Sequence, residues 1–159
     1  MNTRRTLLFA ALPAALSIAA CGGDDGPAAP TDTALDAFTG TWTASAWVYS
    51  PLGGGAEVSQ MPISFVMTVS EGGACVIDQH FQQDPGPRHL TGSVSVPSPG
   101  NVWIIAIEAG GDDENFAGTY VFSNGGNTLT MVSVDDWWFD FDFDGVQDPA
   151  QLRIVLTKM

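Results

Sequence analysis

Basic residues are scarce: five lysines and arginines stand against 18 aspartates and glutamates in 159 residues. Two of the five, Arg4 and Arg5, sit at the start, so the rest of the chain holds only Arg88, Arg153 and Lys158. Three scattered cations cannot form a basic patch, which excludes nucleic acid and anionic lipid surfaces as electrostatic partners. Cysteine is limited to Cys21 and Cys75. Long apolar runs are missing as well: the longest, from Leu7 to Ala20, is about 14 residues and contains Pro13, short of the roughly 20 that a membrane-spanning helix needs. No helical period is sustained, and no G-x-S-x-G or comparable nucleophile arrangement occurs, so no catalytic residue is assigned and the chain is not expected to be an enzyme. What is present is a 45% hydrophobic and 10% aromatic composition, enough to build the core of one domain and to exclude disorder.

The first twenty residues divide into a charged start, an apolar stretch and a small-residue end, the pattern of an export signal. Their end, Ile18-Ala19-Ala20-Cys21, resembles the lipobox of bacterial lipoproteins. That resemblance implies cleavage before Cys21 and lipidation of its thiol. One acyl chain binds a membrane marginally at ~0.8 kcal/mol per buried methylene, whereas the two or three chains of such proteins hold fast. The expected localisation is therefore the cell envelope, by a lipid anchor. Gly22, in place of an aspartate directly after the cysteine, favours the outer over the inner membrane. Thr3-Arg4-Arg5 before Leu7-Leu8 also resembles a twin-arginine export signal, so both export routes stay open. Residues 21–37, rich in Gly, Asp, Pro and Ala, read as a flexible linker. With Cys21 lipidated, Cys75 has no partner, and its setting between Ala74 and Val76 is that of a small apolar strand residue.

From Gly40 onward apolar residues alternate in short runs divided by Gly, Pro, Asn and Asp, which is the signature of strands and turns. Candidate strands are 41–49, 63–70, 75–82, 90–96, 102–107, 116–123, 128–134, 137–143 and 152–158. The connectors Glu71-Gly72-Gly73 and Asn124-Gly125-Gly126-Asn127 supply residues tolerant of positive φ, so consecutive strands should pair as hairpins. The predicted fold of residues 38–159 is thus all-β, an antiparallel up-and-down meander of about eight to ten strands closing into a barrel, with a two-sheet sandwich as the alternative. For the last hairpin the alternation predicts Phe141 opposite Ile154, Phe139 opposite Leu156 and Phe143 opposite Leu152. Residues 144–151 would then be its loop.

The opening of this region, Phe38-Thr39-Gly40-Thr41-Trp42, resembles the G-x-W signature of the first strand in lipocalins and bacterial lipocalin-like lipoproteins. The resemblance spans residues 38–159 and implies a barrel in which Trp42 closes one end beneath a basic residue of the last strand. Lys158 has the inward parity of Leu152, Ile154 and Leu156, and is the expected cation–π partner of Trp42, whereas Arg153 should point outward.

Parity places Trp42, Val48, Ile63, Phe65, Met67 and Tyr120 inside, with Phe122, Leu129, Met131, Phe139, Phe141 and Phe143. Of these, Trp42, Phe65, Met67, Tyr120, Phe122, Met131, Phe139 and Phe141 are the candidates to line a ligand cavity. The other outcome is a barrel filled by its own side chains. An enclosed apolar space of roughly 300 Å³ or more separates the two. The tract Asp140 to Asp148 contains D-x-D-x-D-G-x-x-D, the spacing of calcium loops. As an extended strand it would set the three Asp about 7 Å apart, leaving Asp144, Asp148 and the Val146 carbonyl as the calcium ligands at the tip. Asp112-Asp113-Glu114 reads as a solvated turn. His80 and His89 flank Asp84-Pro85-Gly86-Pro87 and could hold zinc with Asp78 or Asp84 if a hairpin joined them. No cofactor is expected, with calcium left open. The leading functional expectation is a tethered, non-catalytic binding protein for a small hydrophobic molecule. Its rival is a structural or interaction module with a solid barrel and acidic, calcium-binding loops.

Overall fold

The computed structural model describes residues 33–159 apart from 110, 112, 135 and 136. The signal segment, Cys21 and most of the linker lie outside the described residues. After a single helical turn, α1 (Thr33–Asp36), ten strands follow: β1 (Gly40–Pro51), β2 (Val58–Ser59), β3 (Ser64–Val69), β4 (Ala74–His80), β5 (Arg88–Ser98), β6 (Asn101–Glu108), β7 (Asp113–Ser123), β8 (Thr128–Ser133), β9 (Trp137–Phe139) and β10 (Asp148–Lys158). Strands β1, β3 to β8 and β10 pair antiparallel with their chain neighbours, and β10 returns to β1 with Trp42 opposite Lys158. The sheet therefore closes on itself as an eight-stranded up-and-down barrel of lipocalin-like form, in which each of these eight strands has a partner on both sides. The two short strands prolong it at one end: β2 pairs with β1 beyond β3, and β9 pairs with β10 beyond β8.

Period-two alternation carries the core. On β10 Ala150, Leu152 and Leu156 are fully buried and Ile154 is nearly so, and on β8 Leu129, Met131 and Ser133 alternate with half-exposed neighbours. Two departures from simple alternation matter. The register between β1 and β10 shifts between Ala44 and Ala46, a bulge that reverses the parity of the strand. Trp42 is buried before the bulge and Trp47 and Tyr49 after it. Alternation alone selected Val48, which is buried but does not line the barrel's cavity. Ile63, expected inside, precedes β3 and is 63% exposed.

The last hairpin also differs from the predicted register. Ile154 faces Met131 of β8 and Trp47 of β1, so no position beside it is left for Phe141. Strand β9 ends at Phe139, opposite Asp148, and the loop is 140–147. The physical reason lies in the aspartates. Asp140, Asp142 and Asp144 accept hydrogen bonds from the amides of Asp144, Gly145 and Val146, which turns the backbone away from extension. Phe143 then takes φ 60° and is 80% exposed, the opposite of a core residue.

One end of the barrel is plugged. Phe38 is fully buried, edge-on to Tyr120 and Phe122 at 4.9 and 5.1 Å between centroids, and its carbonyl accepts the Trp42 indole N–H at 2.7 Å. Lys158 Nζ lies 5.3 Å from the centre of the Trp42 ring. Gly40 explains the glycine of the G-x-W triplet here: at φ 131°, a Cβ would fall 2.5 Å from Lys158 Cε and 3.3 Å from its Nζ. Gly40→Ala is expected to cost about 1–3 kcal/mol through that conformation and the displaced lysine. Urea denaturation checks it, and in a Lys158→Ala background the loss should shrink, because only the backbone strain remains.

Candidate functional site

Strand directions sort the loops between two ends. The plugged end receives α1, the turns at 70–73, 99–100 and 124–127, and the C-terminus; at the other end β1, β4, β6 and β8 finish, and the loops 52–57, 81–87 and 140–147 lie there. Into this second end opens a cavity of about 210 Å³. Its floor is apolar, formed by Met67, Leu90, Ile104, Met131 and Ile154. Its upper wall is aromatic: Trp47 packs on Phe65 and Phe81 at 5.4 and 5.2 Å, and across the mouth Phe116 faces Trp137 at 6.5 Å. The volume falls short of the roughly 300 Å³ of drug-sized pockets, yet an apolar space of about 150 Å³ suffices for benzene. The barrel is neither solid nor roomy.

The polar groups of the mouth stand on inward positions of β4 to β7. Arg88 lies beside Gln79 in the β4–β5 register; its Nε donates to Glu108 at 2.8 Å and its Nη1 to Glu114. Those carboxylates hold the guanidinium above its ordinary value, Glu108 contributing most. Asp84 turns back to accept the amide of Phe81 at 3.0 Å. Gln79 is 7% exposed and lines the cavity. No polar side-chain atom among the described residues is both sealed from solvent and without a partner, so what its carboxamide keeps open it keeps open to the cavity.

Tyr49 completes the wall, stacked on Phe139 at 4.6 Å, with its oxygen accepting the Trp47 indole N–H at 3.3 Å. Burial pushes its phenol above the ordinary value near 10, the Trp47 hydrogen bond opposes that, and the Glu114 charge adds to it. The folded chain thus keeps its phenolic proton to higher pH than the unfolded chain, so this contribution to stability is whole below pH 10 and drains away as pH climbs through the raised value. Urea midpoints measured upward from pH 10 should fall, less steeply in Tyr49→Phe. Burial also raises the Cys75 thiol, which adds a slope of the same sign that the Tyr49 variant leaves in place.

The predicted site residues fall into three places. Phe65, Met67 and Met131 line the cavity. Trp42, Tyr120 and Phe122 belong to the plug at the other end. Phe139 and Phe141 pack on each other at 5.0 Å, behind Tyr49 and outside the lining. Sequence reasoning missed Gln79, Arg88, Glu114, Phe116 and Trp137. The first four were available from parity, since each continues an inward row: Cys75, Ile77, Gln79 on β4; Arg88, Leu90 on β5; Glu114, Phe116 on β7.

The acidic loop brings Asp140, Asp142 and Asp144 together, with one oxygen of each within 4.8 Å of the others, in place of the 7 Å separation expected of a strand. Asp148, expected with Asp144 and the Val146 carbonyl as a ligand, opens β10 opposite Phe139 and is not in that group. His89 Nδ1 meets Asp78 at 2.7 Å on the outer surface, and neither histidine joins a cluster of three ligating side chains among the described residues. Glu114 of the supposed solvated turn instead pairs with Arg88.

No protein-family model matches the chain, and no curated protein matches it. Among solved structures it is similar to the crystal structure of Rv2717c from M. tuberculosis, at 15% identity over 82% of this chain and 98% of that one, with a TM-score of 0.40.

Proposed function

We propose that this chain is a lipid-tethered, non-catalytic binding protein of the cell envelope whose barrel holds one small, largely apolar molecule. The observation that carries this reading is the open-ended cavity of about 210 Å³, with its apolar floor, aromatic wall and a largely buried polar side chain, Gln79. A non-catalytic role is supported by the lining, which among the described residues offers no serine, cysteine or histidine, and whose described acids, Asp84 and Glu114, are engaged by the Phe81 amide and Arg88. The tether is supported by the signal-like residues 1–20 and Cys21.

Native mass spectrometry of the protein taken from its own envelope tests both parts. A lipidated mass that returns to the unlipidated one in Cys21→Ala, with a further small adduct released on denaturation, is the expected result. A bare polypeptide mass in both would defeat the tether and the cargo together.

A second reading, an interaction module with a calcium-bound loop, is favoured by the convergence of Asp140, Asp142 and Asp144 beside Gly145 at φ 88°. Calcium at one hundred times its dissociation constant would stabilise the fold by about 2.7 kcal/mol. Melting in calcium and in chelator should then differ by several degrees, and Asp142→Asn should abolish the difference. Coincident melts rule calcium out.

A further inference from the structure

We infer that the molecule the cavity takes is a compact primary amine in its ammonium form. Its charged end would sit at the mouth beside Gln79, and its apolar body would rest on Met67, Leu90, Ile104 and Met131. This rests on the proposed binding role of the cavity and adds the chemistry of the ligand.

Charge is the first step. The charged groups of the mouth among the described residues are Asp84, Arg88, Glu108 and Glu114, three carboxylates against one guanidinium. Arg88, the one group that could hold an anion, is already held by two carboxylates at an inward position. A carboxylate ligand would have to break that arrangement or lie against Glu114 and Asp84. The 18 acidic residues of the chain set the same sign at long range, so cations are drawn toward the mouth and anions turned away.

Gln79 is the second step. The residue is 7% exposed and stands on the cavity wall with its carboxamide open to the cavity, and the carboxamide oxygen is an acceptor that an ammonium N–H can meet. Gln79 stands directly opposite Arg88 on the next strand, and the charge of that guanidinium is met by two carboxylates, Glu108 and Glu114, so the group of charges beside an ammonium at Gln79 is net negative. The aromatic wall is the third. Trp47, Phe65 and Phe81 on one side and Phe116 and Trp137 on the other line the cavity, and the face of an aromatic ring attracts a cation and gives nothing comparable to an anion. Volume sets the size: about 210 Å³ admits one ring with a short arm and not a fatty chain.

Titration of the full chain by tryptophan fluorescence and calorimetry, at neutral pH and low salt, compares three probes of similar shape: phenethylamine, phenethyl alcohol and hydrocinnamate. The amine should bind about tenfold more tightly than the alcohol, the scale of one hydrogen bond to a charged group. Hydrocinnamate should be weakest. Gln79→Leu should cost the amine about tenfold, and Gln79→Glu should strengthen it while further weakening hydrocinnamate. If the alcohol or the carboxylate binds as well as the amine, the inference is overturned while the binding role stands. If none of the three binds, the binding role fails for compact molecules, and this inference with it. The comparison on the unmodified chain decides even if a Gln79 variant does not fold.

Discussion

Replacing Trp42 with alanine should lower the unfolding free energy by about 3–5 kcal/mol, the range for removing a fully buried aromatic side chain. Domains of this size have roughly 5–15 kcal/mol in all, so the variant should lose from about a fifth to nearly all of its stability. The loss has several sources. The ring is fully buried, packs on Phe122 at 5.9 Å, lies beneath Lys158 and donates to the Phe38 carbonyl. Trp42→Phe keeps most of the packing but strands that carbonyl, which should cost about 1–3 kcal/mol. Lys158→Met removes only the cation over the ring and should cost about 1 kcal/mol or less. Urea titrations by circular dichroism would order the three, with the slope unchanged because each still unfolds the same surface. A Trp42→Ala loss below about 1 kcal/mol would mean that the plug is decoration on a barrel held by its strands alone.

The closing pair of the plug was legible in the sequence because its parts are local or terminal, whereas Tyr120 and Phe122, expected to line a cavity, pack on Phe38 at this end. Gly40 and Trp42 are two residues apart, and Lys158 comes within reach as soon as a meander closes its last strand against its first. The barrel was legible for a similar reason: alternation and glycine-rich turns are short-range signals, and closure follows from the need to pair every edge. The open end was not. Its geometry depends on a bulge at residues 44–46 that no single residue announces, and that bulge brings Trp47 and Tyr49 inside in place of Val48. It depends as well on the 140–147 loop, where D-F-D-F-D has the period of a strand but the aspartates capture backbone amides and dismantle it. A polar residue on an inward row was the one available clue to the mouth. Gln79, Arg88, Glu108 and Glu114 each interrupt or end an apolar row, and the four meet at one end because hairpin pairing aligns those positions.

This division between the ends bears on how the molecule could change without unfolding. The plugged end carries the interlocked aromatic contacts of Phe38, Trp42, Tyr120 and Phe122, whereas the open end carries a void and charged groups still partly reached by solvent. Substitutions at the first should register as stability, and substitutions at the second as affinity.

Ala106→Phe tests that separation with a large effect on binding. Ala106 is 1% exposed on an inward position of β6, between Gly92 of β5 and Glu114 of β7, and its methyl forms part of the cavity wall. A phenyl group there projects into the void, so the space that a ligand's apolar body needs is taken by the protein itself. Filling a void restores contacts, while imperfect fit strains neighbours, and the two should leave stability within about 1 kcal/mol of the parent. Phenethylamine affinity, by contrast, should fall about a hundredfold, near 2.8 kcal/mol. Ile105→Phe is the matched control, since Ile105 is the next residue on the same strand, points outward and is 44% exposed. It adds the same aromatic bulk without entering the barrel and should leave affinity unchanged. Equal affinity in both variants would place the bound molecule outside the barrel. A loss confined to Ala106→Phe, with both variants folded, would locate it between Met67, Ile104 and Met131.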